Sequence, residues 1–148
     1  MKALIVYDSA HGNTEKIASS IGAAISGDVK VAHVLKVDPS ELKSIEILIV
    51  GSPTYGGRPT PPVKELIYKL DKNTLNGKSV AAFDTRLPHR WVKIFGFAAG
   101  KIANSLEAKG GNLLASEGFF VMGGNGPLEE GELERAASWA KQIVKSKD

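Results

Sequence analysis

Polar side chains suited to anion binding cluster in the first loop of the chain, DSAHGNT at residues 8–14. The loop offers four side-chain donors and one glycine that permits close backbone approach: Ser9, His11, Gly12, Asn13 and Thr14. A helical pattern follows at once, and the N-terminus of a helix presents unpaired N–H groups and a positive dipole end. These features predict an anion site, although the same residues could simply turn and cap the chain.

The first loop lacks the signatures of larger nucleotide sites. It has no GxxxxGK[ST] lysine for a nucleoside triphosphate, and no GxGxxG pattern for a dinucleotide. Hydroxyl and amide donors without a dedicated lysine suit a small phosphate monoester. The chain also has no cysteine, which excludes a thiolate nucleophile and a cysteine-ligated iron–sulfur cluster. Any redox chemistry must therefore come from a bound cofactor.

A second loop, GSPTYGGRPTP at residues 51–61, is suited to a flat ligand. Tyr55 supplies an aromatic ring, and Gly56 with Gly57 gives a backbone that can adopt positive φ and lie close to a planar group. Three prolines in this loop, with Pro62 directly after it, restrict the backbone and lower the entropy cost of holding a ligand: Pro53, Pro59 and Pro61.

A third loop, DTRLPHRWVKIFG at residues 84–96, combines aromatic rings with cations. Its cations and aromatics, with the phenylalanine just beyond it, are Arg86, His89, Arg90, Lys93, Trp91, Phe95 and Phe97. Rings among cations can stack on a planar heterocycle or on nucleic-acid bases. We expect Phe97 to join the core instead.

The elements that must position these loops alternate between strand and helix. Short β-branched runs predict strands at residues 3–7, 29–37, 46–51, 79–85 and 116–122. Amphipathic helical patterns separate them, which is typical of a parallel sheet covered on both faces. We predict a single α/β domain over residues 1–148, three-layered and doubly wound, with strand order 2-1-3-4-5. In such a sheet ligands bind between the carboxyl ends of strands one and three, where the first two loops lie.

Helix boundaries follow from capping residues. We predict Asn13 or Thr14 as the cap of the first helix, Pro61 and Pro62 in the first turn of the second, and Gly110 after the third. The last helix is predicted to begin near Pro127, with these residues buried: Leu133, Ala136, Ala137, Ala140 and Ile143 or Val144. Between strands two and three only a short helix, or none, is expected.

Composition limits the function classes. The 148 residues carry a formal net charge of +3, which is only weak support for nucleic-acid binding. No apolar run approaches the roughly 20 residues that span a bilayer, and the start does not resemble a signal peptide. We therefore expect a soluble cytoplasmic protein that binds neither membrane nor nucleic acid.

The loops together resemble those of one family. SAHGNT is similar to the T/S-x-T-G-x-T phosphate loop of flavodoxins, and GSPTYGG is similar to the loop that this family places against its flavin ring. FDTR at the end of strand four and GPLEEGELERAASWA near the end of the chain also resemble small flavodoxins. The similarity covers essentially the whole chain. The chain lacks the insertion in strand five that marks long-chain flavodoxins.

The resemblance implies noncovalent FMN and electron transfer between redox partner proteins. The phosphate would be held by Ser9, His11, Gly12, Asn13 and Thr14. One side of the ring would be bordered by Pro53, Thr54, Tyr55, Gly56 and Gly57, and the other by Thr85, Arg86 and Trp91. In flavodoxins a glycine peptide of the second loop reorients on reduction to meet flavin N5, and Gly56 or Gly57 matches that position.

Two departures from the family pattern shape the expectations. Residue 11 is histidine where flavodoxins usually have a hydroxyl. Flavodoxins are typically acidic, whereas the ligand loops here carry Arg58, Arg86, His89, Arg90 and Lys93. A cation about 6 Å from the ring would favour the anionic reduced flavin by roughly 1–3 kcal/mol and raise that potential by on the order of 50–100 mV. The basic loops also favour an acidic partner, such as a ferredoxin-like donor.

Other functions remain open at this point. A small FMN oxidoreductase acting on a quinone or porphyrinogen would share the cofactor, and a flavin-free basic module would use the third loop on nucleic acid. A receiver-type phosphorylation switch shares the fold but needs a carboxylate at the end of strand three, where the chain has GSPT. A low-molecular-weight phosphatase needs a cysteine in the first loop.

Overall fold

The computed structural model describes residues 1–88 and 97–147. Its strands are β1 (Lys2–Tyr7), β2 (Asp28–His33), β3 (Ile47–Pro53), β4 (Ser79–Arg86) and β5 (Asn112–Phe120). Its helices are α1 (Asn13–Ala24), α2 (Pro61–Tyr68), α3 (Ala98–Ala108) and α4 (Glu132–Lys147). All strand pairs are parallel, in the order β2-β1-β3-β4-β5. The predicted α/β fold and strand order are confirmed.

Successive side chains of the central strands enter opposite halves of the core. On β1, Leu4 and Val6 pack in the half covered by α2 and α3, whereas Ala3 and Ile5 pack in the half covered by α1 and α4. Every residue of β3 is buried. Nearly continuous apolar strands are what a parallel sheet between two helical layers requires.

Near the end of β3, a glycine makes room for an aromatic cluster. Gly51 pairs with Phe83 of β4, and a Cβ at Gly51 would lie only 2.1 Å from the Phe83 ring. Phe83 meets Phe119 and Trp139 edge-on, at centroid distances of 6.3 and 6.4 Å. Edge-to-face contacts at such distances are favourable, and here they join β4, β5 and α4.

The predicted extent of β2 is wrong at its end. The strand stops at His33, whose Nδ1 accepts a hydrogen bond from the Leu35 N–H at 3.1 Å. The chain then forms two 3₁₀ turns, Val34–Lys36 and Pro39–Lys43, so the expectation of little helix here is confirmed. Leu35 is 75% exposed, and the apolar alternation beyond His33 is therefore not a strand face.

The last part of the chain also differs from the prediction. β5 lies at residues 112–120 and not 116–122, and α4 begins at Glu132 rather than near Pro127. Residues 121–131 instead form a loop, which contains an antiparallel bridge between Val121 and Leu128. Leu133, which is predicted to be buried, is 41% exposed, whereas Trp139 is buried. The buried face of α4 therefore differs from the prediction in its first turn.

Two other helix boundaries agree with the prediction. Pro61 and Pro62 occupy the first turn of α2, where a missing N–H costs no intrahelical bond. Gly110 follows α3 at φ 99°, and the Gly110 and Gly111 N–H groups bond carbonyls in the last turn. Within residues 1–88 and 97–147, the helices are too short or too polar to cross a membrane.

Candidate functional site

A cavity of about 150 Å³ opens where the carboxyl ends of β1, β3 and β4 meet. It brings together these residues predicted from the sequence: Ser9, His11, Asn13, Thr14, Pro53, Thr54, Tyr55, Thr85 and Arg86. Gly12, Gly56 and Gly57 belong to the same two loops. Trp91, with the cations at positions 89, 90 and 93, lies outside the described residues.

The first loop presents the N-terminus of α1 to this cavity. Gly12, at φ 87°, is the N-cap, so the predicted capping role of Asn13 or Thr14 is wrong. A left-handed cap favours glycine, and Asn13 and Thr14 become the first helical residues. Their N–H groups have no intrahelical acceptor at that position. The Gly12 N–H itself donates to Ser9 Oγ at 2.9 Å.

Buried side chains fasten the first loop to neighbouring elements. Thr14 is 1% exposed, and its Oγ1 lies 2.8 Å from Oγ1 of Thr85 at the end of β4. Asn13 Nδ2 donates to the Asn125 carbonyl at 3.3 Å. Gly126 packs so closely on Asn13 that a Cβ there would lie 2.5 Å from Nδ2. The residues at the mouth of α1 therefore have fixed positions.

Asp8 ties the first loop to the second. Its carboxylate accepts the Thr60 hydroxyl at 2.6 Å and the Ser9 N–H at 2.8 Å. His33 Nε2 lies 3.2 Å from the same carboxylate, and its Nδ1 accepts a backbone N–H, so Nε2 carries the proton. Asp8 does not line the cavity. It positions the loop around it.

The second loop contains a tight turn at residues 55–58, in which Gly56 is exposed and Gly57 is buried. Tyr55 and Arg58 exchange both backbone hydrogen bonds at 3.0 Å, and Gly56 and Gly57 lie at φ 56° and 77°. Positive φ at both central residues defines a type I′ turn. Tyr55 is 49% exposed beside the cavity. The turn therefore offers a ring and a glycine backbone to a planar ligand.

Thr54 joins the second loop to β4 and α3. Its N–H donates to the Thr85 carbonyl at 3.0 Å, and its Oγ1 accepts the Ala98 N–H at 3.1 Å. Thr85 thus contacts both the first loop, through Thr14, and the second. The two predicted ligand loops are held in one frame by the end of β4.

Arg86 lines the cavity, but its charge is already paired. Its Nε and Nη2 donate to the Asp84 carboxylate at 2.7 and 2.9 Å, and the guanidinium lies 3.6 Å from the Phe97 ring centre. Asp84 is fully buried and also accepts the Ala99 N–H at 2.9 Å. Phe97 is half-buried and stacks on this cation, so its expected place in the core is wrong. Arg86 therefore does not act as an isolated positive charge.

The loop after β5 contributes residues that the sequence prediction missed. Val121 and Gly124 line the cavity, and Asn125 accepts the bond from Asn13. The carboxyl ends of all strands in a parallel sheet lie at one edge, so the residues directly after β5 must lie near the cavity. The sequence prediction misses them because it ends β5 at residue 122, two residues beyond its true end.

An ion pair anchors that same loop. Glu132 accepts the Phe120 N–H at 2.7 Å and two bonds from Arg135, while Arg135 also donates to the Gly118 carbonyl. Burial raises the pKa of Glu132, but the bonds from Arg135 and Phe120 outweigh it, so the pKa is lowered overall. The Glu132 carboxylate therefore stays ionised and holds the end of β5 against α4.

The residues of the cavity fit a phosphate monoester attached to a planar ring. Helix N–H groups, hydroxyls and an amide converge from the first loop, and the described lining residues include no carboxylate. Tyr55 and the glycine turn stand opposite. Fold and cavity are those expected of a doubly wound α/β protein whose ligand site lies between the carboxyl ends of β1 and β3.

Comparison with known families identifies the cofactor. Residues 5–139 match the family model described as flavodoxin. The chain therefore belongs to the flavodoxin family and is an FMN-binding electron-transfer protein that exchanges electrons with partner proteins. No curated protein sequence gives a significant match.

Solved flavodoxins superpose on nearly the whole chain. A flavodoxin from the domain Archaea is 25% identical, with 99% of each chain covered and a TM-score of 0.77. Flavodoxin 2 from Bacillus cereus is 24% identical, with 98% of this chain and 99% of that chain covered and a TM-score of 0.81. A short-chain flavodoxin associated with a bacterial microcompartment is 19% identical, with both chains fully covered and a TM-score of 0.80.

Proposed function

We propose that the cavity at the carboxyl edge of the sheet is the FMN site of a cytoplasmic single-domain carrier. The phosphate is held by Ser9, His11, Gly12, Asn13 and Thr14. The ring would be bordered on one side by Pro53, Thr54, Tyr55, Gly56 and Gly57, and on the other by Thr85 and Arg86. Trp91, outside the described residues, is assigned to this second side by the resemblance alone. The observation that carries this assignment is the convergence of the α1 N-terminus and the glycine turn on one cavity.

Bound FMN supplies the chemistry, accepting and releasing one or two electrons. The protein residues bind and orient. The first N–H groups of α1, from Asn13 and Thr14, would hold the phosphate at the positive end of the helix dipole. Thr14 and Thr85 share a buried hydrogen bond, which keeps the phosphate side and the ring side at a fixed separation.

The turn from Tyr55 to Arg58 is built so that its backbone could change with the redox state of the cofactor. Glycine at both central positions allows the peptide between them to reorient at small steric cost. By similarity to the flavodoxin loop, Gly56 or Gly57 would supply the backbone carbonyl that a reduced flavin ring requires beside it. The two hydrogen bonds between Tyr55 and Arg58 confine the change to the turn itself.

Charge at the site favours a less negative second reduction potential than in an acidic flavodoxin. Among the described residues, Arg58 is exposed and has no ion-pair partner, whereas Arg86 is paired with Asp84. At about 6 Å from the ring, such a cation raises the potential by on the order of 50–100 mV. The same unpaired charge favours a partner with an acidic docking surface.

Visible absorption during titration with FMN, followed by stepwise anaerobic reduction, tests this function. We expect flavin bands that change on binding and two separable one-electron steps. A protein that binds no flavin at micromolar concentration contradicts the site. Rapid turnover of NAD(P)H with a quinone would instead identify an oxidoreductase, and a strongly negative second potential would contradict the effect assigned to Arg58.

A further inference from the structure

A groove of about 870 Å³ runs between α2 and α3, and in residues 1–88 and 97–147 it shares no lining residue with the cofactor cavity. Its floor is apolar, since Ile67 and Ile102 are buried core residues that reach it. Tyr68 stands at its side, 83% exposed. An apolar floor beside an exposed ring offers contacts to nonpolar side chains of a docked chain.

The walls of the groove carry a concentration of positive charge. Four cations line it: Arg58, Lys64, Lys101 and Lys109. The lining carboxylate, Glu65, is paired with Lys69 at 2.9 Å, and the hydrogen bond from Lys69 lowers the pKa of Glu65. The groove therefore has a positive field, although the whole chain carries only +3.

Lys109 has a structural task as well. Its Nζ donates to the Tyr68 and Leu70 carbonyls at 3.3 and 2.6 Å, at the C-terminal end of α2. A cation there satisfies carbonyls that lack intrahelical partners. Lys64 is exposed in the first turns of α2 and is the better site for testing charge without disturbing the helix end.

We propose that this groove docks an acidic segment of the redox partner, with carboxylates against its cationic walls and apolar side chains on its floor. The partner's redox role rests on the proposed function. Arg58 links the groove to the cofactor cavity, because the same residue closes the turn beside Tyr55 and lines the groove. A partner seated here lies next to the cofactor edge. The apolar floor favours a peptide over nucleic acid, which needs phosphate contacts and several stacking rings.

The test uses a short fluorescent peptide of alternating glutamate and leucine, with and without FMN on the protein. Fluorescence anisotropy at low salt should give a dissociation constant for the peptide. Changes in the protein's amide chemical shifts should then place the peptide on α2 and α3. Lys64→Glu should weaken binding about fivefold. The matched control, Lys141→Glu, makes the same charge change on the exposed face of α4 and should leave affinity unchanged.

Several outcomes overturn the proposal. Equal losses in both variants mean that net charge, and not the groove, attracts the peptide. Absence of binding, or equal binding of a lysine–leucine peptide, removes the acidic segment. Tighter binding of oligothymidylate with shifts in the same residues assigns the groove to nucleic acid. Peptide binding by a protein that takes up no FMN retains the groove and refutes the proposed function, so the two failures are distinguishable.

Discussion

The first loop and the turn at Tyr55 flank one cavity but are built in opposite ways. Around the first loop, Thr14 bonds Thr85 and Asn13 bonds Asn125. The turn is held by its own backbone pair between Tyr55 and Arg58, and Gly56 is exposed.

This difference matches two demands on a redox cofactor. A phosphate keeps its charge during electron transfer, so fixed donors bind it equally well in every redox state. The ring changes charge and protonation, so the backbone beside it must rearrange at small cost. The first loop is therefore expected to determine affinity, and the turn to determine potential.

Thr14→Val should have the largest effect. It removes a buried hydroxyl at the mouth of α1 and leaves Thr85 without this partner. Loss of a hydrogen bond to a charged group costs roughly 1.5–3 kcal/mol, or about 10- to 100-fold in the FMN dissociation constant. Isothermal titration measures this. The control Ser19→Ala, at an exposed position of the same helix, should bind FMN as the wild type does. If Thr14→Val also binds FMN as tightly as the wild type, the phosphate lies elsewhere.

Glu132→Gln tests how much the ion pair between Glu132 and Arg135 contributes to stability. Losing the charged bonds to Arg135 should lower the free energy of unfolding by about 1–3 kcal/mol at neutral pH. The folded pKa of Glu132 is lowered, so its stabilisation is complete above the ordinary glutamate pKa of about 4.3 and is lost as pH falls through the folded value. Urea unfolding at several pH values should show the wild type and variant converging in acid. A constant difference would contradict this assignment.

Tyr55→Ala should weaken FMN binding by up to about tenfold, because ring stacking contributes roughly 0.5–1.5 kcal/mol. Trp91→Ala is expected to act in the same direction. Flavin fluorescence quenching gives the dissociation constants. Lys145→Ala, at an exposed position of α4, is the control, and identical affinities for all three variants would mean that the ring lies elsewhere.

Of these variants, Gly56→Ala should change the FMN affinity least and the first reduction potential most clearly. A Cβ at Gly56 meets no atom within 4 Å, so the substitution acts through the backbone at φ 56°. A cost of about 1 kcal/mol on turn rearrangement corresponds to a first potential lowered by about 40 mV. Gly77→Ala is matched, with φ 78° and open space far from the cavity. Equal shifts in both variants would show that general stability, and not the turn, controls the potential.

The sequence predicted the sheet order and the two ligand loops because both follow from long-range rules. Apolar runs place β1, β3 and β4 in the centre, and parallel strands bring their carboxyl ends together. Strand boundaries depend on local competition instead. At His33, one side-chain bond to the Leu35 N–H ends a strand that apolar alternation would continue.

The charge at the site could not be predicted from composition. Arg86 counts as a cation in the sequence, but burial of Asp84 beside it turns the pair into a nearly neutral unit. Asn125 and Gly126 were likewise missed, since a loop of small residues carries no signal of its contact with Asn13. Partners separated by more than a hundred residues are visible only in the fold.

The aromatic cluster above Gly51 gives the protein an internal optical reporter. The sequence has two tryptophans, and Trp139 is only 7% exposed, edge-on to Phe83 and Phe119. An indole shielded from water emits at shorter wavelength than one in solvent. With Trp91 replaced by Phe, the colour of the remaining emission would report whether α4 is packed on the sheet.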